Sequence, residues 1–424
     1  MNVAQHITKD DFYRKPKRAR LVEENDNVKA SFTHYLYHAY SDTYKRGAVD
    51  YVHGLLVNKY PQEDVSLEVA ESALQYYLPQ LQKDIPFPEP QPASFTFIDL
   101  FAGIGGFRIA MQNLGGACVF SSEWDKYSQK TYEANFGEIP FGDITQEETK
   151  QYIPKQFDVL CAGFPCQAFS IAGKRGGFED TRGTLFFDVA EIIKRHQPKA
   201  FFLENVKGLT NHDRGRTLAT ILHTLREDLG YDVPEPRVFN AKDFGVPQNR
   251  ERIFIVGFRK DLNVQEFEYP RGCEPRRCVA DILEEQEVSV KYYLSNQYLD
   301  TLIKHKARHE SKGNGFGYEI VPHEGVANAV VCGGMGRERN LIYDHRLTNF
   351  SPVTHIKGEV NRQGIRKMTP REWARLQGFP DKFQIVVADA QAYRQFGNSV
   401  AIPAIQSMAC KVLERLGICS ENLE

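Results

Sequence analysis

The chain has 424 residues, 53 lysines and arginines against 55 aspartates and glutamates, a formal net charge of -2 and a sequence pI near 6.7. That length is too great for one small core, so two domains plus an extension are expected, and the near-neutral balance excludes a protein that grips nucleic acid by bulk charge while leaving room for a locally basic cleft. The 8 cysteines are scattered, without a paired CxxC or histidines at ligand spacing, which argues against a zinc site or disulfide frame and for reduced thiols in a cytosolic protein with no metal.

The amino end, Met1–His6, lacks the apolar core of a secretion signal, and no later run is long or charge-free enough to span a bilayer. A soluble, intracellular protein without a membrane partner is expected. Residues 1–94 form a first block. It opens on the basic stretch Arg14-Lys15-Pro16-Lys17-Arg18-Ala19-Arg20. From about Val28 to Leu81, tyrosine, leucine and alanine recur at rough helical spacing, divided by Pro61, and Pro86, Pro88, Pro90 and Pro92 close the block as a stiff linker. A helical accessory piece and a DNA-binding arm both fit this composition.

Residues 95–270 alternate short apolar strands with helical stretches, the pattern of a parallel sheet covered on both faces. The first strand is Phe95–Phe101, followed by the turn Ala102-Gly103-Ile104-Gly105-Gly106 and a helix from near Phe107. Glycines there let the backbone approach a ligand, and the helix amino end receives its negative group. The second strand, Cys118–Ser122, ends in Glu123-Trp124. An acidic residue at this tip grips ribose hydroxyls, and the indole either stacks on adenine or serves as an ordinary core tryptophan. A third strand tip, Gly142-Asp143-Ile144, offers another carboxylate to the adenine amino group. No Lys-Ser or Lys-Thr follows the glycines, so the pocket suits an adenosine without a long polyphosphate.

Phe157–Ala162 reads as a further buried strand, and Gly163-Phe164-Pro165-Cys166-Gln167 places a thiol on a proline turn at its carboxyl end, where open α/β sheets do chemistry. Phe201–Val206 ends in Glu204, and beyond it lie Arg250 and Arg252. Thiol, acid and fixed cation on one rim suit covalent attack on an electron-poor ring. The stretch Ser170–Gly183 is rich in glycine and cations, as a closing lid would be. Its Lys174, Arg175 and Arg182 are either DNA contacts or solvated charges.

Residues 271–366 break the alternation, and from Lys291 basic residues predominate, among them Lys304, Lys306, Arg308, Lys312, Arg337, Arg339, Arg346, Lys357, Arg362 and Arg366. Arg337 and Arg339, in the loop Cys332–Asn340, are either guanine readers or members of a salt-bridged surface loop around Glu338. From 367 to 424 regular structure returns: Thr369 caps a helix with Pro370 at its first position, Gly378 ends it, and a last helix runs from Ala401 to about Leu416.

Taken in order, Asp99–Gly106, Pro165-Cys166-Gln167, Glu204-Asn205-Val206, Gln248–Arg252 and Gln395-Phe396-Gly397-Asn398-Ser399 resemble the motifs of the DNA cytosine-5 methyltransferases of bacterial restriction-modification systems. The resemblance covers about Phe95 to the carboxyl end and leaves the first block unexplained. It implies a Rossmann-like S-adenosylmethionine-dependent fold with a mixed, mostly parallel sheet and a smaller inserted target-recognition domain at 271–366. S-adenosylmethionine is the implied methyl donor, with Phe101, Gly103, Gly105, Glu123, Trp124, Asp143, Ile144, Pro165, Leu185 and Asn398 at the cofactor positions. Cys166, Glu204, Arg250 and Arg252 are the implied catalytic set, acting on a cytosine swung out of double-stranded DNA. The recognition block is similar to that of methyltransferases modifying 5′-CCGG-3′. A monomer that pairs functionally with a restriction endonuclease, without a stable complex, is expected. A transfer-RNA methyltransferase of the same fold and a non-catalytic DNA-binding regulator are the alternatives.

Overall fold

The computed structural model describes residues 26–38, 42–81, 84–165, 185–264, 266–274, 276–353 and 356–418. The basic stretch at 14–20 and the candidate residues Cys166, Lys174, Arg175 and Arg182 lie outside these.

Three helices come first: α1 (Asp26–Tyr37), α2 (Lys45–Lys59) and α3 (Leu67–Leu81). On α2 the buried residues Val49, Val52 and Leu56 recur at helical spacing, as do Ala70, Ala73, Leu74, Tyr77 and Leu81 on α3. Pro61 falls between these two helices, where its missing N–H disturbs no helical ladder.

The sheet region follows with β1 (Phe95–Leu100), α4 (Gly106–Asn113), β2 (Gly116–Ser122), α5 (Lys126–Phe136), α6 (Glu147–Lys150), β3 (Val159–Gly163), α7 (Leu185–His196) and β4 (Ala200–Val206). It continues through α8 (Arg216–His223), β5 (Tyr231–Asp232), β6 (Arg237–Asn240), β7 (Gln248–Asn249) and β8 (Glu251–Arg259). The strand order is β2-β1-β3-β4-β8-β5, with β6 also paired to β8. β1 is parallel to β2 and β3, whereas β5 and β6 run antiparallel to β8, giving a mixed sheet. β1 is buried along nearly its whole length, as a central strand covered on both faces must be.

The expected third strand tip at Gly142-Asp143-Ile144 is not a strand. Only Phe141 forms a bridge, to Ser122. Pro140 before it has no N–H to give a ladder, and the Gly142 N–H is taken by the Asn27 side chain at 2.9 Å.

The remaining elements are α9 (Asn296–Glu310), β9 (Ala327–Asn328), β10 (Leu341–Tyr343), β11 (Ile365–Lys367), α10 (Pro370–Leu376), α11 (Asp389–Asn398) and α12 (Ile402–Arg415). Thr369 accepts from the Glu372 N–H while the Glu372 carboxylate takes the Thr369 N–H at 2.7 Å, a reciprocal cap that starts α10.

The chain forms two compact units. The first comprises Met1–Phe202, Ile221–Asp232 and Gly257–Asn263, and the second Leu203–Thr220, Val233–Val256 and Val264–Glu424. In the second unit, Leu294, Leu299, Leu302, Leu341 and Ile365 form one apolar cluster and Val288, Tyr293, Leu347 and Val360 another. Beside them Arg366, fully buried, pairs with Asp344 at 2.8 Å and with both oxygens of Glu372 at 2.7 Å. Arg346 bonds Asp344 and the carbonyls of Glu284 and Glu285. These two members of the basic block are therefore not free charges: their guanidinium groups are committed to internal partners.

Candidate active site

Within the first unit, the carboxyl ends of β1 and β2 build a polar rim. In the β1–β2 pairing Asp99 faces Ser121 and Leu100 faces Ser122. The chain then turns sharply: Phe101, Gly103 and Gly105 all have positive φ, at 58°, 57° and 86°. Phe101 is not a glycine, so its left-handed backbone marks local strain of the kind held at ligand sites. A Cβ on Gly105 would lie 2.2 Å from the Phe136 ring, whereas one on Gly103 would meet nothing within 4 Å. Gly105 thus lets the turn pack on α5, and Gly103 leaves open space above it.

Glu123 is tied into this turn by backbone alone. Gly103 N–H donates to its Oε2 and Asp125 N–H to its Oε1, each at 2.8 Å. Burial raises its carboxyl above the ordinary range, while the Asp125 and Gly103 N–H groups oppose that rise. Trp124 beside it is 72% exposed, so the indole is an open platform and not a core filler. Glu123 N–H bonds the Phe141 carbonyl at 2.8 Å, which sets the run leading to Asp143 and Ile144 against the tip of β2. Ile144 is buried, and Asp143 is exposed with its Oδ1 accepting from Thr145 N–H. Pro165 is exposed and Leu185 opens α7.

One residue of this rim was quoted in the motif but given no role. Asp99 is fully buried, and neither carboxylate oxygen makes a well-formed hydrogen bond among the described residues. Burial pushes its carboxyl well above the usual range. The Ser121 and Ser122 hydroxyls are likewise without a partner among the described residues. Asp99, Ser121 and Ser122 are thus polar side chains buried at the ends of adjacent strands without a well-formed partner among the described residues. The signal was present in Phe95-Thr96-Phe97-Ile98-Asp99-Leu100, where a carboxylate sits among the buried apolar residues Phe97, Ile98 and Leu100.

Within the second unit, the end of β4 carries Glu204 and β8 carries Arg252, whose Nε lies 2.8 Å from Glu204 Oε1. Both side chains are largely buried, and with Phe239, Phe254, Val400 and Ala401 they line a small cavity. Burial raises the Glu204 carboxyl above its ordinary value, with Arg252 and then Arg250 opposing. A carboxyl set this way holds a proton more readily than a surface glutamate.

Arg250 differs from Arg252. It donates to the carbonyls of Val330 at 2.8 Å, Gly397 at 3.2 Å and Ser399 at 2.6 Å, and burial together with neighbouring Arg252 lowers it to about 9. Its geometry is that of a brace holding the backbone around Asn398, the exposed last residue of α11. Gly397 serves the same junction, since a Cβ there would meet the Cys332 nitrogen at 2.7 Å. In the loop beyond, Arg337 and Arg339 are exposed. Arg337 lies 5.4 Å from the Tyr393 ring centroid, while buried Glu338 turns to Lys367 and the Tyr298 hydroxyl, each at 3.0 Å.

Residues 95–414 match the family model for the C-5 cytosine-specific DNA methylase. The chain belongs to this family. It is 73% identical over 342 residues to the Type II methyltransferase M.HpaII of Haemophilus parainfluenzae, covering 80% of this chain and 96% of that protein. It is 43% identical over 336 residues to the Type II methyltransferase M.HhaI of Haemophilus parahaemolyticus, covering 77% and 97%. Among solved structures, the S. pombe Dnmt2 methyltransferase superposes with a TM-score of 0.56 at 18% identity over 76% of this chain and 99% of that one, a likeness of fold. The protein is therefore a C-5 cytosine-specific DNA methyltransferase with the Rossmann-like fold of its class, and its substrate is DNA. Members of the family use S-adenosylmethionine as methyl donor. The residues of the methylase's first rim fit that group: a backbone-pinned carboxylate for hydroxyls, an exposed indole for a flat base, open space above Gly103, and unsatisfied polar side chains behind it. Among the described residues no helix is long and apolar enough to cross a membrane.

Proposed function

We propose that the enzyme methylates carbon 5 of a cytosine flipped out of a short double-stranded site, 5′-CCGG-3′, through a covalent adduct with Cys166, and so protects DNA from a cognate restriction endonuclease. The observation that carries this reading is the Glu204–Arg252 pair at 2.8 Å in a largely buried, apolar-walled cavity.

A base inside a duplex cannot reach such a cavity, so the nucleotide must leave the stack. Carbon 5 of cytosine is a weak nucleophile. Addition of the Cys166 thiolate to carbon 6 makes the ring an enamine, which is reactive at carbon 5. Glu204, protonated or sharing a proton, holds ring nitrogen 3 and meets the negative charge that thiolate addition creates, and its burial favours the protonated form. Arg252 orients the exocyclic oxygen and fixes the Glu204 carboxylate. Arg250 acts behind them as a positioning residue. The donor, held by Phe101, Gly103, Gly105, Glu123, Trp124, Asp143, Ile144, Pro165, Leu185 and Asn398, supplies an electrophilic methyl group. Loss of the carbon-5 proton and departure of the Cys166 thiolate then free the methylated base. Lys174, Arg175, Arg182, Arg337 and Arg339 contact the DNA. Residues 271–366 form the recognition domain inserted between 95–270 and 367–424. The enzyme acts as a cytosolic monomer without a stable nuclease complex. The CCGG assignment is supported by the recognition-block resemblance and by the identity with M.HpaII.

The test incubates the protein with labelled S-adenosylmethionine and duplexes that carry or lack CCGG, with transfer RNA alongside. Label in CCGG duplex is expected, together with trapping of 5-fluorocytosine duplex by wild type but not by Cys166→Ser. Label only in transfer RNA, or no trapping by wild type, overturns the proposal.

A further inference from the structure

The family match begins at residue 95, yet α1 lies outside it and is bonded directly to the cofactor rim. Asn27 Oδ1 accepts the Gly142 N–H at 2.9 Å while its Nδ2 donates to Thr149 Oγ1 at 3.1 Å, so one side chain spans both sides of the Asp143–Ile144 turn. Nearly two turns on, Thr33 Oγ1 accepts the Ile139 N–H at 2.9 Å. The His34 ring lies 4.7 Å from that of Phe141, whose other neighbours are Tyr44 at 5.6 Å, Phe120 at 5.0 Å and Tyr152 at 4.7 Å. His38 Nε2 meets Glu138 Oε1 at 3.1 Å, and Arg108 closes on both Glu138 oxygens at 2.8 Å.

The residues that α1 holds, Glu138 to Gly142, are those whose own backbone sets the donor rim. Phe141 N–H bonds the Ser121 carbonyl and the Phe141 carbonyl takes the Glu123 N–H, each at 2.8 Å. Their continuation is Asp143 and Ile144. This segment forms no strand and has only one bridge to β2, so it lacks a ladder to fix its course. The side chains of α1 supply the missing bonds. Hydrogen bonds to otherwise unpaired buried N–H groups are where a lost partner costs most.

We infer that the amino-terminal extension is a working part of the cofactor pocket, with Asn27 a positioning residue that acts through Gly142 to fix Asp143 and Ile144 for the methyl donor. This rests on the proposed assignment of Asp143 and Ile144 to the donor pocket.

The test uses the full-length protein. Asn27→Ala should weaken S-adenosylmethionine binding measured by calorimetry about tenfold and raise KM for the donor in parallel, with kcat and DNA affinity within twofold. Asn27→Asp keeps an acceptor for the Gly142 N–H and can take the Thr149 hydroxyl proton, so it should restore most of the affinity. Tyr76→Ala, on exposed α3 surface, should change nothing. If Asn27→Ala fails to fold, Thr149→Val breaks the same bridge from the other side and is expected to show the same KM-selective loss. Unchanged donor binding in a folded variant overturns the inference, as does an equal fall in kcat and donor affinity that Asn27→Asp does not rescue. Failure of wild type itself to bind the donor would instead overturn the pocket assignment.

Discussion

The two rims hold buried carboxylates by opposite means. In the first unit Glu123 is fixed by two backbone N–H groups and, among the described residues, faces no guanidinium at hydrogen-bond distance. In the second, Glu204 is fixed by the Arg252 side chain. Burial raises both carboxyls. Backbone donors are neutral and already committed, so they orient Glu123 without consuming its capacity to accept from hydroxyls. A guanidinium instead sets a charge balance, and at Glu204 burial outweighs the counter-charge of Arg252 and raises the carboxyl, which favours its protonated form. On the proposed reading, one rim holds the donor and the other exchanges protons.

Three changes bear on that contrast. Glu204→Gln keeps the shape and removes the exchangeable proton. It should lower kcat by about 10²–10⁴-fold with donor affinity unchanged, and a comparable loss of donor binding in calorimetry would break the division of labour. Glu123→Ala leaves the Gly103 and Asp125 N–H groups unpaired and should raise KM for the donor by about 10–100-fold with a small effect on single-turnover chemistry. If the chemical step falls instead, Glu123 is doing more than holding. Arg252→Met removes the largest influence opposing burial at Glu204, so the Glu204 carboxyl rises further. Because the protonated form is the one required, activity that falls as Glu204 loses its proton should fall at higher pH, and the alkaline limb of kcat should move up. A downward shift, read from a pH–rate profile on saturating duplex, would show that the deprotonated form works.

Much of both rims was legible in the chain. Glycine at positions 103 and 105 announces a turn that only left-handed backbone permits, and the glutamate closing each of β2 and β4 announces a carboxylate at a strand tip. Thr369 with Glu372 three residues on, and Pro370 between them, gives the start of α10 outright. What stayed hidden is long-range. Nothing in local spacing separates Arg250, which braces three carbonyls, from Arg252 two positions on, which faces a carboxylate. The expectation of a strand at 142–144 failed because its would-be ladder partner is a side chain 115 residues away, Asn27. Composition ranks Arg346 and Arg366 with the solvent-facing basic residues, since the carboxylates that neutralise them, Asp344 and Glu372, are matched to them only by the fold.

The start of α10 has one more role, at the mouth of the long excursion between Glu284 and Thr369. Glu284 N–H donates to Glu372 at 3.1 Å and the Thr369 hydroxyl donates to Glu284, so departing and returning strands of chain are buttoned to each other. With its base fastened, a segment can lengthen or shorten at its outer loops at a closure cost of only about 0.6 kcal/mol per doubling of a flexible stretch, without shifting the helix it hangs from. A clasp of this kind leaves the outer loops free to change while the helix beneath them stands still.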